Sequence, residues 1–312
     1  MYMGKNIFKA SFSWESMELT FLGTGQAIPT KSRNHTALLF RYEDEMLLVD
    51  CGEGTQRQFR KAGINPCKLT KLLITHWHGD HILGIPGLLQ TLALNNYSRT
   101  LDVYGPHGTR KFMELMLHMF VFVGKIKVNI HEIDEGVFYN DKFILTAYRM
   151  VHGTKALAYS FEEKTKTRMD VAKIKKLGLK GPIIGELQRG QDVFFNGKRI
   201  LSKNVTYKQE GKKVAFIMDT LFNPNCIKAA ENADVLVCES TYMEADADKA
   251  QEHLHLTTTK AAEIAKKAKA KSLYLTHISQ RYEAVEKHVL KEAQKIFKKS
   301  FLPNDLDSVE IK

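Results

Sequence analysis

A chain of 312 residues with 44% hydrophobic side chains can bury a sizeable core, which excludes global disorder. No apolar run approaches the roughly 20 residues needed to span a bilayer, and residues 1–16 mix Lys, Asn, Ser and aromatics without the apolar stretch of a signal peptide, so no membrane partner is expected. The formal net charge of +11 favours a polyanionic partner such as nucleic acid.

The predicted elements alternate along the chain. Strands at 18–22, 37–42 and 46–49 precede a helix at 55–61. A strand at 72–75, a helix at 85–94, a strand at 101–104 and a helix at 109–119 follow. Next come a strand at 143–147, a strand at 214–218, a helix at 225–231 and a strand at 235–238. A helix at 258–270, a strand at 273–276 and a helix at 282–298 complete the series. The helix near Thr258 has a Thr-rich entry and lysines towards its end, which suits the helix dipole. Strands alternating with helices indicate an α/β domain. Cys51, Cys67, Cys226 and Cys238 form no C-x-x-C pair and are read as free thiols of a reducing cytoplasm.

The stretch at about 162–200 differs in kind. It carries Lys164, Lys166, Arg168, Lys173, Lys175, Lys176, Lys180, Arg189, Lys198 and Arg199, interrupted by Gly178, Gly181-Pro182, Gly185 and Gly190. It lacks a strong core pattern and reads as a basic arm projecting from the domain; the plainer alternative is a solvated surface insertion.

The segment His76-Trp77-His78-Gly79-Asp80-His81 carries most of the chemistry. Imidazole nitrogens and carboxylate oxygens are the ligands a borderline cation such as Zn²⁺ prefers. His76 and His78 alternate on extended backbone and face one way, while Asp80 and His81 follow where the chain leaves the strand and can face a second ion. Several other apolar strands end on a ligand-type residue: Val49 runs into Asp50, Met218 into Asp219, Cys238 into Glu239, and Thr276 into His277. A rim of such residues at one end of a sheet assembles a site from distant sequence.

Four motifs together resemble the metallo-β-lactamase fold: Leu22-Gly23-Thr24-Gly25, Asp50-Cys51-Gly52-Glu53, Thr75 to His81, and Leu275-Thr276-His277-Ile278-Ser279. Within that superfamily, Pro29-Thr30-Lys31-Ser32-Arg33-Asn34, Glu239-Ser240-Thr241, His255-Leu256-Thr257 and the basic insertion are similar to the short form of the ribonuclease Z family, tRNA 3′-processing endonucleases. The resemblance starts at about Met17, so residues 1–16 are expected to be an extension to a catalytic domain at 17–312. One departure is Cys238, where the family often has His.

The resemblance implies an αββα sandwich and two zinc ions per subunit. One ion would be held by His76, His78 and His152, the other by Asp80, His81 and His277, with Asp219 bridging both. It further implies that Asp80 orients the attacking water, and that His255, held by Glu239, protonates the leaving 3′-oxygen. Lys31, Arg33 and Asn34 would handle the acceptor end of precursor tRNA near the entry to the metals. The arm, with Gly181 and Pro182, would grip the tRNA body in a homodimer. His35, His107, His118, His131, His253 and His288 have no such support and are read as structural or surface residues. Two other functions stay open at this point: a two-metal hydrolase of a small phosphodiester or thioester, which needs no basic arm, and a non-catalytic tRNA-binding protein braced by structural zinc.

Overall fold

The computed structural model describes residues 17–121 and 126–312, so the expected extension at 1–16 lies outside the described residues. The first half of the chain builds one sheet. β1 (Met17–Gly23), β2 (Ala37–Tyr42) and β3 (Glu45–Val49) form an antiparallel meander. β4 (Lys71–Leu73), β5 (Thr100–Gly105) and β6 (Lys127–Glu132) then add in parallel. Parallel neighbours need a crossover. These are supplied by α1 (Thr55–Ala62), by α2 (Gly79–Ile82) with α3 (Ile85–Leu94), and by α4 (Thr109–Met119).

The second sheet opens with the antiparallel strands β7 (Gly136–Asn140), β8 (Phe143–Val151) and β9 (Lys155–Glu163). The arm intervenes: β10 (Lys166–Met169), α5 (Val171–Leu177), α6 (Pro182–Gln188), β11 (Val193–Phe195), β12 (Lys198–Ile200), α7 (Ser202–Val205) and β13 (Thr206–Gln209). The sheet resumes with β14 (Lys213–Ile217), β15 (Val235–Glu239), β16 (Leu273–Thr276) and β17 (Ser300–Phe301), joined by α8 (Pro224–Ala230), α9 (Ala247–Glu252), α10 (Thr258–Lys267) and α11 (Glu286–Ile296). β18 (Ser308–Ile311) returns to pair with β1, so both sheets have seven strands.

Three apolar layers hold this together. Between the sheets, Phe40 and Tyr42 meet Phe161 with ring centroids 4.6 and 5.0 Å apart. Behind the first sheet lie Phe59 of α1, Leu88 and Leu92 of α3 and Met113 of α4. Behind the second, alanines of α8 and α10 pack closely with Val289 and Ala293 of α11. Helices on both outer faces of two stacked sheets make the αββα sandwich that the sequence implies. Thr257 caps α10 by accepting from the Lys260 amide (3.2 Å), as its Thr-rich entry predicts.

The structure corrects three expectations. The helix predicted over 282–298 is a 3₁₀ segment, Gln280–Val285, followed by α11. Strands β6, β7, β9, β17 and β18, and the four short strands of the arm, are not among the predicted elements. β6, β7 and β18 are short edge strands whose half-exposed side chains weaken the alternation, while Ala156–Phe161 of β9 is a buried run with no period. The arm, read as lacking a core pattern, continues to Gln209 and has its own small core of Leu179, Leu187, Val193 and Val205. Its buried residues are far apart in sequence and meet only when the β10–β13 pair, the β11–β12 hairpin and the short helices between them fold together.

Strand direction sets the positions of everything that follows. The arm leaves at the end of β9 and returns at the start of β14, where Glu162 pairs with Lys213. Asp219 follows the other end of β14. Six residues of extended chain separate the arm root from Asp219, or about 20 Å.

Candidate metal centre

The ligand-type residues converge where the strand ends of both sheets meet. From the first sheet come Asp50, after β3, and the segment after β4: His76 and His78 on extended backbone, Asp80 and His81 within α2. From the second come His152 after β8, Asp219 after β14, Glu239 at the end of β15 and His277 after β16. Asp50 and His277 both sit at φ +58°, a left-handed conformation that turns each side chain back into the centre.

The turn carrying Asp80 and His81 is packed backbone to backbone against 51–52. Cys51 N–H donates to the His81 carbonyl (2.7 Å) and Gly84 N–H to the Cys51 carbonyl (2.9 Å). A Cβ on Gly84 would lie 2.0 Å from the Gly52 carbonyl oxygen. Gly84→Ala is therefore expected to destabilise the fold by about 1–3 kcal/mol or more, read as a lowered denaturant midpoint; an unchanged midpoint would contradict this packing.

Hydrogen bonds choose which imidazole nitrogen faces inward. Thr75 donates its hydroxyl to Asp50 Oδ2 (2.7 Å), so it accepts from His76 Nδ1 (3.1 Å). Thr241 donates to Glu239 Oε2 (2.6 Å), so it accepts from His277 Nδ1 (2.8 Å). Asp50 Oδ2 takes His81 Nδ1–H (2.7 Å), and the Leu254 carbonyl takes His152 Nδ1–H (3.0 Å). The Nε2 lone pairs of all four rings are thereby left for the centre. His78 turns Nδ1 inward, 3.1 Å from both His76 Nε2 and His152 Nε2. His81 Nε2 and His277 Nε2 lie 3.2 Å apart. Lone pairs this close repel unless something positive lies among them.

The donor set fits divalent metal. His76, His78, His152 and Asp219 have ligand atoms within 4.8 Å of one another, and so do Asp80, His81 and His277. Asp219 Oδ1 is buried without a hydrogen bond, 3.2 Å from His277 Nε2 and 3.5 Å from His81 Nε2. Burial works against the Asp219 charge, but the surrounding imidazoles, His277 and His81 first, outweigh it and hold the carboxyl well below its usual range. Burial likewise opposes ionisation of Asp80, and the adjacent imidazoles of His277 and His81 overcome it. Burial and the neighbouring His81 keep His76 neutral, as a ligand must be. Burial would lower His81 too, yet Asp219 and Asp50 raise it; the proton its Nε2 would then carry sits where a cation can replace it.

His255 stands beside these groups. Its Nδ1 faces Glu239 Oε1 (3.2 Å) and lies 4.0 Å from Asp219 Oδ2. Burial would depress it, but the Glu239 and Asp219 carboxylates push it up to about 9. Glu239 is fully buried and also accepts from the Thr220 amide (2.8 Å). His255, with His78, His152, Tyr242 and Arg281, lines an open cleft of about 380 Å³. His255, Asp219 and His277 also lie close enough to hold an ion. Against that use, the inner nitrogen of His255 is already occupied by Glu239.

The other expected site residues lie apart from the centre. Arg33 is 3% exposed and ion-paired to Glu286, so it is not presented to a substrate; an internal ion pair has claimed it, which the motif alone does not reveal. Asn34 is half-buried and donates to the Glu53 carbonyl (2.6 Å), while Lys31 is exposed. Gly181 and Pro182 are exposed at the start of α6 in the arm. His35 is buried and bonds the Ala27 carbonyl (3.0 Å), a structural role as expected. Sequence reasoning gave no roles to Asp50 and Thr241; the only signal was their place at strand ends within motifs. Asp50→Ala is expected to weaken metal binding about 10–100-fold, measured by chelator titration; unchanged affinity would remove Asp50 from the centre.

The beta-lactamase superfamily domain matches residues 194–278, and the Anti-Pycsar protein Apyc1 family matches residues 17–114. Ribonuclease Z of Methanothermobacter thermautotrophicus is 42% identical over 95% of this chain and 97% of its own length. Ribonuclease BN of Cronobacter sakazakii is 38% identical over 95% of this chain and 100% of its own. Among solved structures, human tRNase Z, short form, superposes with a TM-score of 0.68 at 28% identity, covering 95% of this chain and 99% of that one. The metallo-beta-lactamase fold protein YhfI from Bacillus subtilis shares the fold at 20% identity, with a TM-score of 0.69 over 95% of this chain and 99% of that one. Among the described residues no helix is long and apolar enough to cross a membrane.

Proposed function

The chain belongs to the ribonuclease Z family, phosphodiester hydrolases of the metallo-β-lactamase superfamily, and on that premise we propose that it removes the 3′ trailer from precursor tRNA in the cytoplasm. The cut falls after the discriminator base and leaves a 3′-hydroxyl on the tRNA and a 5′-phosphate on the trailer. The observation that carries this reading is His255: an imidazole raised by buried Glu239, on the cleft wall beside a complete ligand set.

Two zinc ions per subunit suit the donors, one with His76, His78 and His152, the other with Asp80, His81 and His277, and Asp219 common to both. Such ions, when bound, lower the pKa of a shared water and offset phosphoryl charge. The chain's own groups do the rest. Asp80 orients the attacking water and accepts its proton. His255 gives its proton to the departing 3′-oxygen, and Glu239 stabilises the imidazolium from behind through Nδ1. Lys31 meets the acceptor end, and the arm holds the tRNA body through phosphates.

The arm root lies about 20 Å from its own Asp219, at the other end of the same strands. Family membership, and not this separation, is what suggests a homodimer in which each arm serves the partner's cleft. Leu83, Leu94, Phe112, Leu115 and Met119 are exposed along α2 to α4 and supply an apolar surface for such pairing.

The test is cleavage of an end-labelled precursor by zinc-loaded protein, with the product ends mapped. A single cut after the discriminator base, leaving a 3′-hydroxyl, is expected. No cut alongside brisk turnover of a small phosphodiester would mean a different substrate. Raising salt should lower precursor cleavage steeply and leave the small diester almost unaffected; equal responses would remove the arm from substrate binding.

A further inference from the structure

The loop joining β1 to β2 runs past the metal centre, and its two limbs are fastened differently. On the outgoing limb, Gln26 N–H donates to the Ile278 carbonyl (3.2 Å), next to His277. Ala27 N–H donates to Asp80 Oδ2 (2.9 Å), and the Ala27 carbonyl meets His35 Nε2 (3.0 Å). Ala27 holds this place at φ +26°, a conformation that a residue with a Cβ keeps only where its surroundings over-determine it.

The returning limb supplies that constraint. The Arg33 guanidinium reaches in three directions: Nε to Glu286 Oε1 on α11 (2.5 Å), and Nη1 to Thr24 Oγ1 (2.5 Å) and to the Pro303 carbonyl (2.9 Å). Its backbone closes the turn with Thr30 in both senses, at 2.9 and 3.0 Å. Asn34 N–H donates to Asp305 Oδ2 (2.7 Å), and the Asn34 carbonyl accepts from Gly25 N–H (2.8 Å), tying the limbs together. Nε and Nη1 carry all three guanidinium bonds while Nη2 is buried without one, so the anchor depends on those two nitrogens, whose fork geometry the single ammonium of lysine cannot reproduce.

We propose that Arg33 is a positioning residue for the metal centre: by pinning the loop at 26–34 against α11 and the chain's last segment, it keeps the Ala27 amide on the Asp80 carboxylate. Asp80 is thus aimed by a loop whose exposed tip carries Lys31. The loop belongs to the frame of the centre, and its role is not confined to handling RNA. The inference rests on the proposed function only in taking Asp80 as part of the reacting centre.

The test compares Arg33→Met and Arg33→Lys with wild type, and with Ser32→Ala, which removes the weaker tie of the loop tip to Glu283 (3.1 Å) and leaves the Arg33 anchor in place. Hydrolysis of bis(p-nitrophenyl) phosphate gives kcat and KM separately, and the visible spectrum of cobalt(II)-loaded protein reports the ligand geometry without turnover. Both Arg33 variants are expected to lose about 10–100-fold in kcat, with KM within about twofold, and to shift the cobalt bands. Ser32→Ala should do neither. A folded Arg33→Met protein with the wild-type cobalt spectrum and kcat would overturn the proposal, even if its tRNA cleavage fell. Should Arg33→Met fail to fold, Glu286→Gln loosens the same anchor and is judged by the same two readouts. If wild type hydrolyses no phosphodiester, the functional reading fails, while the cobalt spectra still decide whether Arg33 sets the position of Asp80.

Discussion

Asp219→Ala is expected to abolish hydrolysis of precursor tRNA and small diester alike, with metal per chain falling in the same preparation. The carboxylate is 3% exposed, and its oxygens lie 3.2 Å from His277 Nε2, 3.5 Å from His76 Nε2 and 3.5 Å from His81 Nε2. On the proposed assignment Asp219 serves both groups, so the deletion would take a ligand from each and leave the facing imidazole lone pairs without the charge that balances a cation. The loss should exceed the roughly 10²–10⁴-fold that a single general acid contributes. Metal analysis beside both assays checks this. Full metal content with activity retained would place Asp219 outside the centre.

His255→Ala should act on one substrate and spare the other. Precursor cleavage is expected to fall about 10²–10⁴-fold, because the 3′-alkoxide of a ribose departs poorly without a proton. The p-nitrophenolate of an activated diester needs no such help, so its turnover should change little, and the bound metal should stay at the wild-type level. The contrast separates the two uses that the geometry allows for this imidazole. As a proton donor its loss is selective for the poor leaving group. As a ligand with Asp219 and His277, its loss would reduce metal content and slow both reactions together.

The convergence of the candidate centre was legible in the sequence because its ligand-type residues follow apolar strands. Val49, Met218 and Thr276 each run straight into a polar residue, and His76 to His81 packs four ligand-type residues into one segment. The layers were legible too, since α3 and α10 carry helical periodicity and β2 and β15 are apolar runs. What stayed hidden depends on partners distant in sequence. The tautomers of His76 and His277 are chosen by Thr75 and Thr241, which carry that meaning only once Asp50 and Glu239 have taken their hydroxyl protons. Arg33 reads as a surface cation until Glu286, 253 residues away, is seen to pair with it. The arm's core is assembled from residues scattered between Leu179 and Val205, so no short window of sequence displays it.

The backbone at His277 bears on how this chain can change over time. A left-handed conformation at φ +58° costs a residue with a Cβ about 1–2 kcal/mol and suits glycine. Folding alone therefore pulls position 277 away from the residue that the proposed metal centre requires. A lineage released from its substrate would be free to take glycine there and relieve that strain. The histidine marks a trade-off between robustness and catalysis, in which one residue's conformational strain is retained for the sake of its lone pair.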